Sequence, residues 1–258
     1  MIPLVVVGAA GRMGRAIEQA AAASSGFVIK ARVDPGAGQA TGDGWAPDAA
    51  AVLEAGDVAV EFSSPAACAA LAILCAERGA PRVSGTTGLD GAQDEAVRAA
   101  AQRVAVVRAA NFSLGLAVLR RTLQAALDVL PPAWDVEIVE RHHRSKVDSP
   151  SGTALRLAED AAAHRGAGEQ AIRCGRERSR TGPRPAGEIG VHAVRGGTWV
   201  GDHAVLLAGE GEWLELRHVA QDRLAFAHGA LAAAEFVAGA QPGLYTLEDV
   251  LAARSRSQ

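Results

Sequence analysis

The first half of the chain alternates short apolar runs with longer segments of mixed polarity. The apolar runs predict strands at Pro3–Gly8, Phe27–Asp34, Val58–Phe62, Arg82–Ser84 and Val104–Arg108. The intervening segments predict helices at Arg15–Ser24, Ala49–Ala55, Pro65–Arg78 and Asp90–Gln102, and leave a glycine-rich loop at Gly36–Pro47. Strands and helices that alternate in this way are typical of a parallel sheet with helices on both faces.

The second half of the chain has a different pattern. Helices are predicted at Leu114–Leu130, Thr153–Arg165, Leu224–Ala238 and Thr246–Arg254, and a strand at Trp134–Val139. Gly166–Gly187 is rich in Gly, Arg and Pro and is predicted to be an exposed loop. Three strand-like runs joined by glycine turns follow, which predicts an antiparallel meander of Glu188–Arg195, Trp199–Leu207 and Glu212–Ala220.

The composition excludes several classes of protein. Of the 258 residues, 49% are hydrophobic and the formal net charge is −3, so neither a disordered chain nor broad nucleic-acid binding is expected. No apolar run reaches the roughly 18–20 residues of a membrane span, and Ile2–Val7 is too short for the apolar region of a signal peptide. The three cysteines are widely spaced and form no disulfide framework, which indicates a reducing, cytoplasmic setting.

A glycine motif follows the first predicted strand and precedes the first predicted helix. Its spacing, GxxGxxG, is a variant of the dinucleotide-binding motif, in which glycines permit a tight turn and close approach to a pyrophosphate. The start of the helix then presents backbone N–H groups to the phosphates. An ordinary glycine turn is the alternative. The predicted cofactor-binding residues of this motif are Gly8, Ala9, Ala10, Gly11, Arg12 and Met13.

Asp34 ends the second predicted strand, where an acidic side chain can accept hydrogen bonds from the adenosine ribose. A carboxylate at this position repels a 2′-phosphate, and Pro35 supplies no cation to offset it. The sequence therefore favours NADH over NADPH, although Arg32 lies on the same face of the strand. The alternative is that Asp34 is only a turn residue before Pro35.

Two further loops follow predicted strands, so they belong at the carboxyl edge of a parallel sheet, where ligands bind. Their small residues leave room for a nicotinamide ring, and their backbone amides can bind its carboxamide. The residues are Gly85, Thr86 and Thr87 in one loop, and Ala109, Ala110, Asn111 and Phe112 in the other.

A cluster of imidazole and cationic side chains lies between the Trp134–Val139 strand and the next helix. Two imidazoles and an ammonium group within five residues suit proton transfer near neutrality, and they belong to His142, His143 and Lys146. The following helix start offers hydroxyl and backbone N–H groups for a carboxylate, at Ser151, Gly152 and Thr153.

Other interpretations of the histidines remain open. A His-His pair occurs in metal sites, but no third ligand stands at metal spacing, so we expect no metal. A second alternative to a catalytic role is that the cluster of imidazole and cationic side chains is a solvated loop. The histidines on the predicted meander are more readily explained as sheet or interface residues, and they are His192, His203 and His218.

Taken together, the motifs resemble a known family. They are the glycine motif, Glu61-Phe62-Ser63-Ser64-Pro65, the Gly85 and Ala109 loops, the run from Glu140 to Ala154, and Phe226-Ala227-His228-Gly229-Ala230. The chain resembles, over nearly its whole length, the 4-hydroxy-tetrahydrodipicolinate reductases of bacterial and plant lysine biosynthesis, also called dihydrodipicolinate reductases. The HHxxKxDxPSGTA run is the most specific of these motifs.

The resemblance implies an α/β architecture in two parts. Residues 1–112 and 222–258 would form a Rossmann dinucleotide-binding domain with a doubly wound parallel sheet. Residues 113–221 would form a smaller α+β domain, with a mixed and largely antiparallel sheet, for substrate binding and assembly of a homotetramer. The family implies a small dicarboxylate substrate and NADH or NADPH as cofactor.

The resemblance also implies roles for single residues. His142 is the expected acid/base residue and Lys146 the expected proton donor. His143, Gly152 and Thr153 are expected to hold the substrate dicarboxylate. Two departures stand out: Pro35 replaces a basic residue common in the family, and Glu61 stands where aspartate is usual.

Two other functions fit a nucleotide-binding fold. One is a different Rossmann oxidoreductase, such as an aspartate or semialdehyde dehydrogenase, which needs a different substrate-side motif. The other is a non-enzymatic NAD(P)-binding sensor, which has little reason to carry an imidazole–lysine cluster beside an anion site.

Overall fold

The computed structural model describes residues 1–37, 44–176 and 182–256, and the chain divides into two units. One unit comprises Met1–Leu114 and Arg223–Gln258, and the other comprises Gly115–Asp222. The predicted loops Gly36–Pro47 and Gly166–Gly187 lie partly outside the described residues.

The first unit contains a seven-stranded sheet in the order β12-β6-β5-β4-β1-β2-β3, in which every pairing is parallel. Its strands are β1 (Ile2–Val7), β2 (Phe27–Val33), β3 (Trp45–Ala46), β4 (Val58–Glu61), β5 (Arg82–Ser84), β6 (Ala105–Arg108) and β12 (Gly243–Tyr245). Its helices are α1 (Arg12–Ala22), α2 (Pro65–Arg78), α3 (Gly91–Ala101), α6 (Leu224–Gly239) and α7 (Leu247–Arg256). Helix α4 (Leu114–Val129) begins at Leu114, which is the last residue of the Met1–Leu114 stretch of the first unit. The rest of α4 belongs to the second unit.

Small aliphatic side chains fill the core of this unit. In one cluster of this core, valines of β1 and β6 pack with alanines of β2, β4 and α2, and Phe112 is a buried aromatic residue of the same unit. Helix α2 shows how local sequence sets an element: Ser64 accepts a hydrogen bond from the Ala67 N–H (3.4 Å), and Pro65 occupies the first turn. Gly79 ends the helix in the left-handed conformation (φ 67°).

The second unit contains a five-stranded sheet in the order β11-β10-β7-β9-β8. Its strands are β7 (Asp135–His142), β8 (Ile172–Cys174), β9 (Ile189–Arg195), β10 (Gly201–Ala208) and β11 (Trp213–Ala220), and its second helix is α5 (Gly152–His164). β10 pairs antiparallel with β7 and β11, whereas β9 pairs parallel with β7 and β8. Leucines of α4 and α5 pack on the buried face of the sheet and close its core.

The predicted fold class is confirmed: a parallel Rossmann-type sheet is joined to a mixed sheet in an α/β chain. The predicted three-stranded meander is wrong, because β9 pairs with β7 and only β10 and β11 form a hairpin. Gly166–Gly187 is not entirely loop, since β8 lies within it and completes the sheet edge beside β9. β7 is longer than predicted and extends to His142, so the histidine cluster begins inside a strand.

Candidate active site

The loops predicted to bind the cofactor meet at one edge of the first sheet. The parallel strands β1, β2, β4, β5 and β6 end at this edge, and the predicted residues follow them directly. β1 lies between β2 and β4, so the strand order reverses there. Open α/β sheets bind ligands at the carboxyl edge beside such a reversal.

The glycine motif forms a tight turn between β1 and α1. Gly8 has φ 80°, a conformation that favours glycine, and a Cβ there would overlap the carbonyl oxygen of Phe62. A Cβ at Gly14 would lie 2.5 Å from Ala9 Cα and from the Gly8 oxygen, so α1 packs directly on the turn. No side chain caps the start of α1, and its first turn contains no acidic residue. This geometry fits a pyrophosphate, which needs backbone donors and close approach.

Asp34 connects the end of β2 to the glycine turn. Its Oδ2 accepts a hydrogen bond from the Ala10 N–H (3.2 Å), and its Oδ1 accepts one from the Gly36 N–H (3.0 Å). The nearby cation Arg32 forms an ion pair with Glu18 of α1, with Nε and Oε2 separated by 2.8 Å. The carboxylate therefore lies beside the turn, where a ribose is held in such folds.

The Gly85 and Ala109 loops are linked by an aromatic pair. Phe62 and Phe112 meet edge to face, with ring centroids 5.4 Å apart. A Cβ at Gly85 would overlap the Phe62 ring, and a Cβ at Gly229 of α6 would overlap the Phe112 carbonyl oxygen. Glycine is therefore required at both positions for close packing, and this packing fixes the loops.

Glu61, which the sequence indicated only as a departure from the family pattern, holds two of these loops together. Its fully buried Oε1 accepts hydrogen bonds from the Ser63 N–H (2.8 Å) and from the hydroxyl of Thr86. Its Oε2 accepts one from the Ser84 hydroxyl (2.8 Å) and lies 3.4 Å from Arg82 Nη2. The carboxylate thus joins the ends of β4 and β5.

We expect Glu61→Gln to destabilise the first unit strongly. The Arg82 guanidinium is fully buried, so loss of the carboxylate leaves a cation without an anion, which costs about 3–5 kcal/mol. Urea unfolding of the two proteins measures the change. Glu54→Gln is the matched control, because Glu54 pairs with Lys30 (2.5 Å) at the surface, and it should leave the unfolding midpoint unchanged. Equal effects of the two substitutions would contradict this role.

In the second unit, the buried face of β7 changes from aliphatic to ionisable along the strand. Val136 and Ile138 lie in the core, and Glu140 and His142 are the next two residues on the same face. Both of these polar side chains are buried. Such residues need partners, because an unpaired buried polar group is costly.

The carboxylate of Glu140 supplies these partners. Its Oε2 accepts hydrogen bonds from His142 Nδ1 (2.6 Å) and Arg195 Nη1 (2.7 Å). Its Oε1 accepts hydrogen bonds from the Ser151 N–H (2.9 Å) and Arg195 Nη2 (2.7 Å). Burial alone would raise the pKa of Glu140, but these donors outweigh burial and lower it below its usual value. Glu140 is therefore a carboxylate near neutrality.

Ser151 begins α5 and also contacts a second histidine. Its hydroxyl oxygen accepts a hydrogen bond from the Ala154 N–H (3.2 Å) and lies 3.1 Å from His203 Nε2. His203 and His142 meet edge to face, with ring centroids 5.1 Å apart. Burial, and then the nearby His142, lower the pKa of His203 to about 4, so this ring is neutral near pH 7.

Lys146 and His143 lie on the loop between β7 and α5. Lys146 Nζ forms an ion pair with Asp148 Oδ1 (2.8 Å), which lowers the pKa of that carboxyl group. His143 Nδ1 lies 2.8 Å from Ser145 Oγ, and the Lys146 N–H donates to the His143 carbonyl (3.1 Å). The loop thus places an ammonium group and an imidazole close together in the chain.

The structure brings several of the predicted substrate-side residues together in one unit. His142 and Ser151 share the carboxylate of Glu140, and Gly152 and Thr153 follow in the first turn of α5. Gly152 is exposed, and a Cβ there would meet no atom of the described residues within 4 Å, so this helix start has room for a ligand. The arrangement can exchange a proton and bind an anion.

Sequence reasoning missed Glu140, Arg195 and the contact of His203 with this cluster. The alternation along β7 could have placed Glu140 on the face of His142, but Arg195 comes from β9 and required the sheet topology. Among residues 1–37, 44–176 and 182–256, no group of three or more His, Cys, Asp or Glu could hold a metal ion. No helix within these ranges is long and apolar enough to cross a membrane.

Comparisons with known proteins agree on one family. The model of the dihydrodipicolinate reductase N-terminus matches residues 2–112, and that of the C-terminus matches residues 115–251. The 4-hydroxy-tetrahydrodipicolinate reductase of Thiobacillus denitrificans is 44% identical over 97% of this chain and 98% of its own length. The reductase of the same name from Anaeromyxobacter sp. is 44% identical over 99% of both chains.

A solved structure has the same fold. It is a dipicolinate-bound dihydrodipicolinate reductase from Paenisporosarcina sp. TG-14, with a TM-score of 0.78 and 22% identity, and the match covers 96% of this chain and 99% of that chain. The chain therefore belongs to the dihydrodipicolinate reductase family, and it is an oxidoreductase that uses a nicotinamide nucleotide.

Proposed function

We propose that this oxidoreductase reduces 4-hydroxy-tetrahydrodipicolinate to tetrahydrodipicolinate, a step of diaminopimelate and lysine biosynthesis. The reaction consumes one hydride and one proton, and the hydroxyl group of the substrate leaves as water. Relatives of that name, 44% identical over nearly the full length, support the assignment. The observation that carries it is the cluster in which Glu140 joins His142 to the start of α5.

Lys146 and His142 are the two groups of this site that carry out proton transfer. The ammonium of Lys146 is a donor on a loop next to β7, and the ring of His142 is held in place by Glu140. Proton transfer from positioned groups of this kind contributes about 10²–10⁴-fold to a reaction rate. His142 is the acid/base residue in this proposal, and Lys146 is the proton donor to the electron-rich side of the ring.

The substrate carboxylates are held by the start of α5 and by a neighbouring imidazole. Gly152 and Thr153 lie in the first turn of the helix, where backbone N–H groups attract anions. Ser151 sets the direction of that turn through its capping hydrogen bond, and His143 supplies a further polar group from the loop. Lys146 adds the charge that a dianion requires.

The residues at the edge of the first sheet hold the cofactor. When bound, the reduced nicotinamide supplies the hydride. The turn Gly8–Met13 receives the pyrophosphate, Asp34 receives the ribose, and the loops at Gly85–Thr87 and Ala109–Phe112 surround the nicotinamide end. Support comes from the close packing at Gly8 and Gly14 and from the edge-to-face Phe62–Phe112 pair.

The cofactor preference follows from the charge beside the ribose. We expect a higher kcat/KM with NADH than with NADPH, because the Asp34 carboxylate repels a 2′-phosphate and Arg32 is paired with Glu18. Asp34→Asn should reduce the NADH:NADPH ratio of kcat/KM about tenfold, or about 1.4 kcal/mol. Asp48→Asn is the control, since Asp48 also accepts a backbone N–H (2.9 Å) but follows β3. Equal use of both cofactors by the unmodified protein would refute the preference.

Residues 1–112 and 222–258 bind the dinucleotide, and residues 113–221 bind substrate and form a homotetramer through their sheets. β11, one of the two edge strands of that sheet, supports this assembly because its Trp213 and Val219 are 61% and 49% exposed. The cysteines at 68, 75 and 174 are free, which supports a cytoplasmic location.

One assay tests the proposed reaction. The condensation product of pyruvate and aspartate semialdehyde is generated in a coupled reaction, and oxidation of NADH or NADPH is followed. We expect oxidation that depends on this product and that dipicolinate inhibits. A different dehydrogenase would oxidise the cofactor only with its own substrate, and a sensor would bind the cofactor without oxidising it. Absence of oxidation with both cofactors would exclude the proposed reaction.

A further inference from the structure

Four donors fix the carboxylate of Glu140, so it has a single orientation. Arg195 spans both oxygens, the Ser151 N–H points to Oε1, and His142 Nδ1 points to Oε2. Arg195 is itself held, because its Nη2 also donates to the carbonyl of Asp148 (2.6 Å). A bidentate guanidinium–carboxylate pair of this geometry is among the strongest side-chain contacts in proteins.

We propose that Glu140 is a positioning residue: it holds His142 in the tautomer that is protonated at Nδ1, and so leaves Nε2 as the atom that exchanges the proton with substrate. The inference rests on the proposed function, in which His142 is the acid/base residue. A carboxylate only accepts, so the hydrogen at the 2.6 Å contact belongs to Nδ1. The neutral ring then carries its lone pair on Nε2.

The surroundings of Nε2 suit this role. The backbone of Gly201 in β10 lies beside it, and a Cβ there would come within 3.3 Å of Nε2, so glycine leaves space next to this atom. Among the described residues, the ionisable groups near the pair include Arg195 of β9 and His203 of β10. His218 of β11 lies opposite His203, Asp202 precedes His203 in β10, and Asp148 lies near Arg195. His203 is neutral near pH 7, so it does not oppose a second proton on His142.

Glu140 also couples the proton-exchanging ring to the anion site. The Glu140 carboxylate accepts a hydrogen bond from the His142 ring and another from the N–H of Ser151, the residue that caps α5. The ring and the helix start therefore keep a fixed relation within this unit. Preorganisation of this kind removes the reorientation that would otherwise slow proton transfer.

The tautomer can be observed directly in the unmodified protein. With ¹⁵N-labelled histidine, we expect the resonances of the neutral His142 ring to show a protonated Nδ1 and an unprotonated Nε2. His142→Asn identifies the signals. A His142 ring that is protonated only at Nε2 would overturn the proposal, and this measurement does not depend on any variant of Glu140 being folded.

The substitution Glu140→Gln keeps the shape of the side chain but allows the hydrogen bond between residue 140 and His142 Nδ1 to run in the opposite direction. If the amide NH₂ replaces Oε1, it faces the Ser151 N–H and Arg195 Nη2, which are both donors. If it replaces Oε2, it faces Arg195 Nη1 and His142 Nδ1, and only Nδ1 can become an acceptor. The second orientation is therefore favoured, and His142 shifts to the tautomer protonated at Nε2.

The kinetic consequence separates positioning from general loss of structure. We expect Glu140→Gln to lower kcat about a hundredfold. The neutral His142 ring would then already carry its hydrogen on Nε2, so this atom could no longer accept the proton that it exchanges with the substrate. KM for the cyclic substrate should change less than about threefold. In the favoured orientation the amide oxygen of the new side chain takes the place of Oε1 and still accepts the hydrogen bond from the Ser151 N–H, so the start of α5 is kept in place. A fall confined to folded yield, or a rise in KM with kcat unchanged, would contradict the proposal.

Glu137→Gln is the matched control. Glu137 lies on the opposite face of the same strand and makes the same kinds of contact, to His192 Nε2 (2.6 Å) and to Arg184 Nε (2.9 Å). We expect its kcat within about twofold of the unmodified protein and an unchanged His142 spectrum. If the unmodified protein shows no reductase activity, the proposed function fails, whereas the histidine spectra still decide whether Glu140 sets the tautomer.

Discussion

Lys146→Ala should lose most turnover and keep its affinity for NADH. The ammonium of Lys146 is the proposed proton donor and charge partner of the substrate, and a group with such a role contributes about 10²–10⁴-fold to kcat. The side chain pairs with Asp148 on the loop between β7 and α5, whereas the predicted cofactor residues lie in the other unit. Steady-state kinetics and calorimetric titration with NADH measure the two quantities.

Two further variants sharpen this prediction. Lys146→Arg keeps the positive charge but holds its proton too tightly to donate it, so it should restore KM for the substrate without restoring kcat. Arg156→Ala removes one charge from the exposed face of α5 and should leave both parameters unchanged. If Lys146→Ala abolishes NADH binding instead, this residue belongs to the cofactor site and our assignment is wrong.

Gly14→Ala should abolish cofactor binding. The added methyl group would lie 2.5 Å from Ala9 Cα and 2.6 Å from the Ala9 oxygen, and both are backbone atoms that have no flexible side chain to yield. Helix α1 must then move away from the turn, so its N–H groups no longer converge on the pyrophosphate. We expect NADH affinity to fall at least about a hundredfold, or about 2.7 kcal/mol, in calorimetric titration.

The control for this substitution is Gly91→Ala. Gly91 begins α3, and a Cβ there would contact none of the atoms that the structure describes within 4 Å. Cofactor affinity should therefore be unchanged, and thermal stability should be unchanged or slightly higher. Binding of dipicolinate to Gly14→Ala, measured in the same way, should persist because its proposed residues lie in the second unit. Full NADH affinity in Gly14→Ala would refute the placement of the cofactor turn.

Local signals in the sequence predicted much of the fold. The structure has the predicted bounds for α2 (Pro65–Arg78) and β5 (Arg82–Ser84). The ends of α2 were predictable because Ser64, Pro65 and Gly79 define them through their own local preferences. The parallel sheet followed from the alternation of apolar runs with helices. These features depend on residues close together in the chain, which a sequence displays directly.

Pairing between distant strands could not be predicted in the same way. Glycine turns suggested that β9, β10 and β11 are neighbours, but β7 lies between β9 and β10. The order follows from how the apolar faces of Val136, Ile138 and Val191 share one core with α5, and no short segment contains this information. The same topology brings Arg195 to Glu140, which are 55 residues apart.

The candidate site was predictable to a similar degree. The sequence identified His142, Lys146 and the start of α5 through residue types that suit proton transfer and anion binding. It did not identify Glu140, because a glutamate inside a predicted charged loop has no distinctive signal. Only the extension of β7 to His142 shows that both residues lie on the buried face.

The most direct test of the account is to follow the hydride itself. NADH dideuterated at the reacting nicotinamide carbon is oxidised in the presence of the substrate, and the cyclic product is analysed by mass spectrometry. We predict one deuterium in each molecule of tetrahydrodipicolinate and one molecule of product for each NADH consumed. An unlabelled product, or NADH oxidation without formation of this product, would contradict the account.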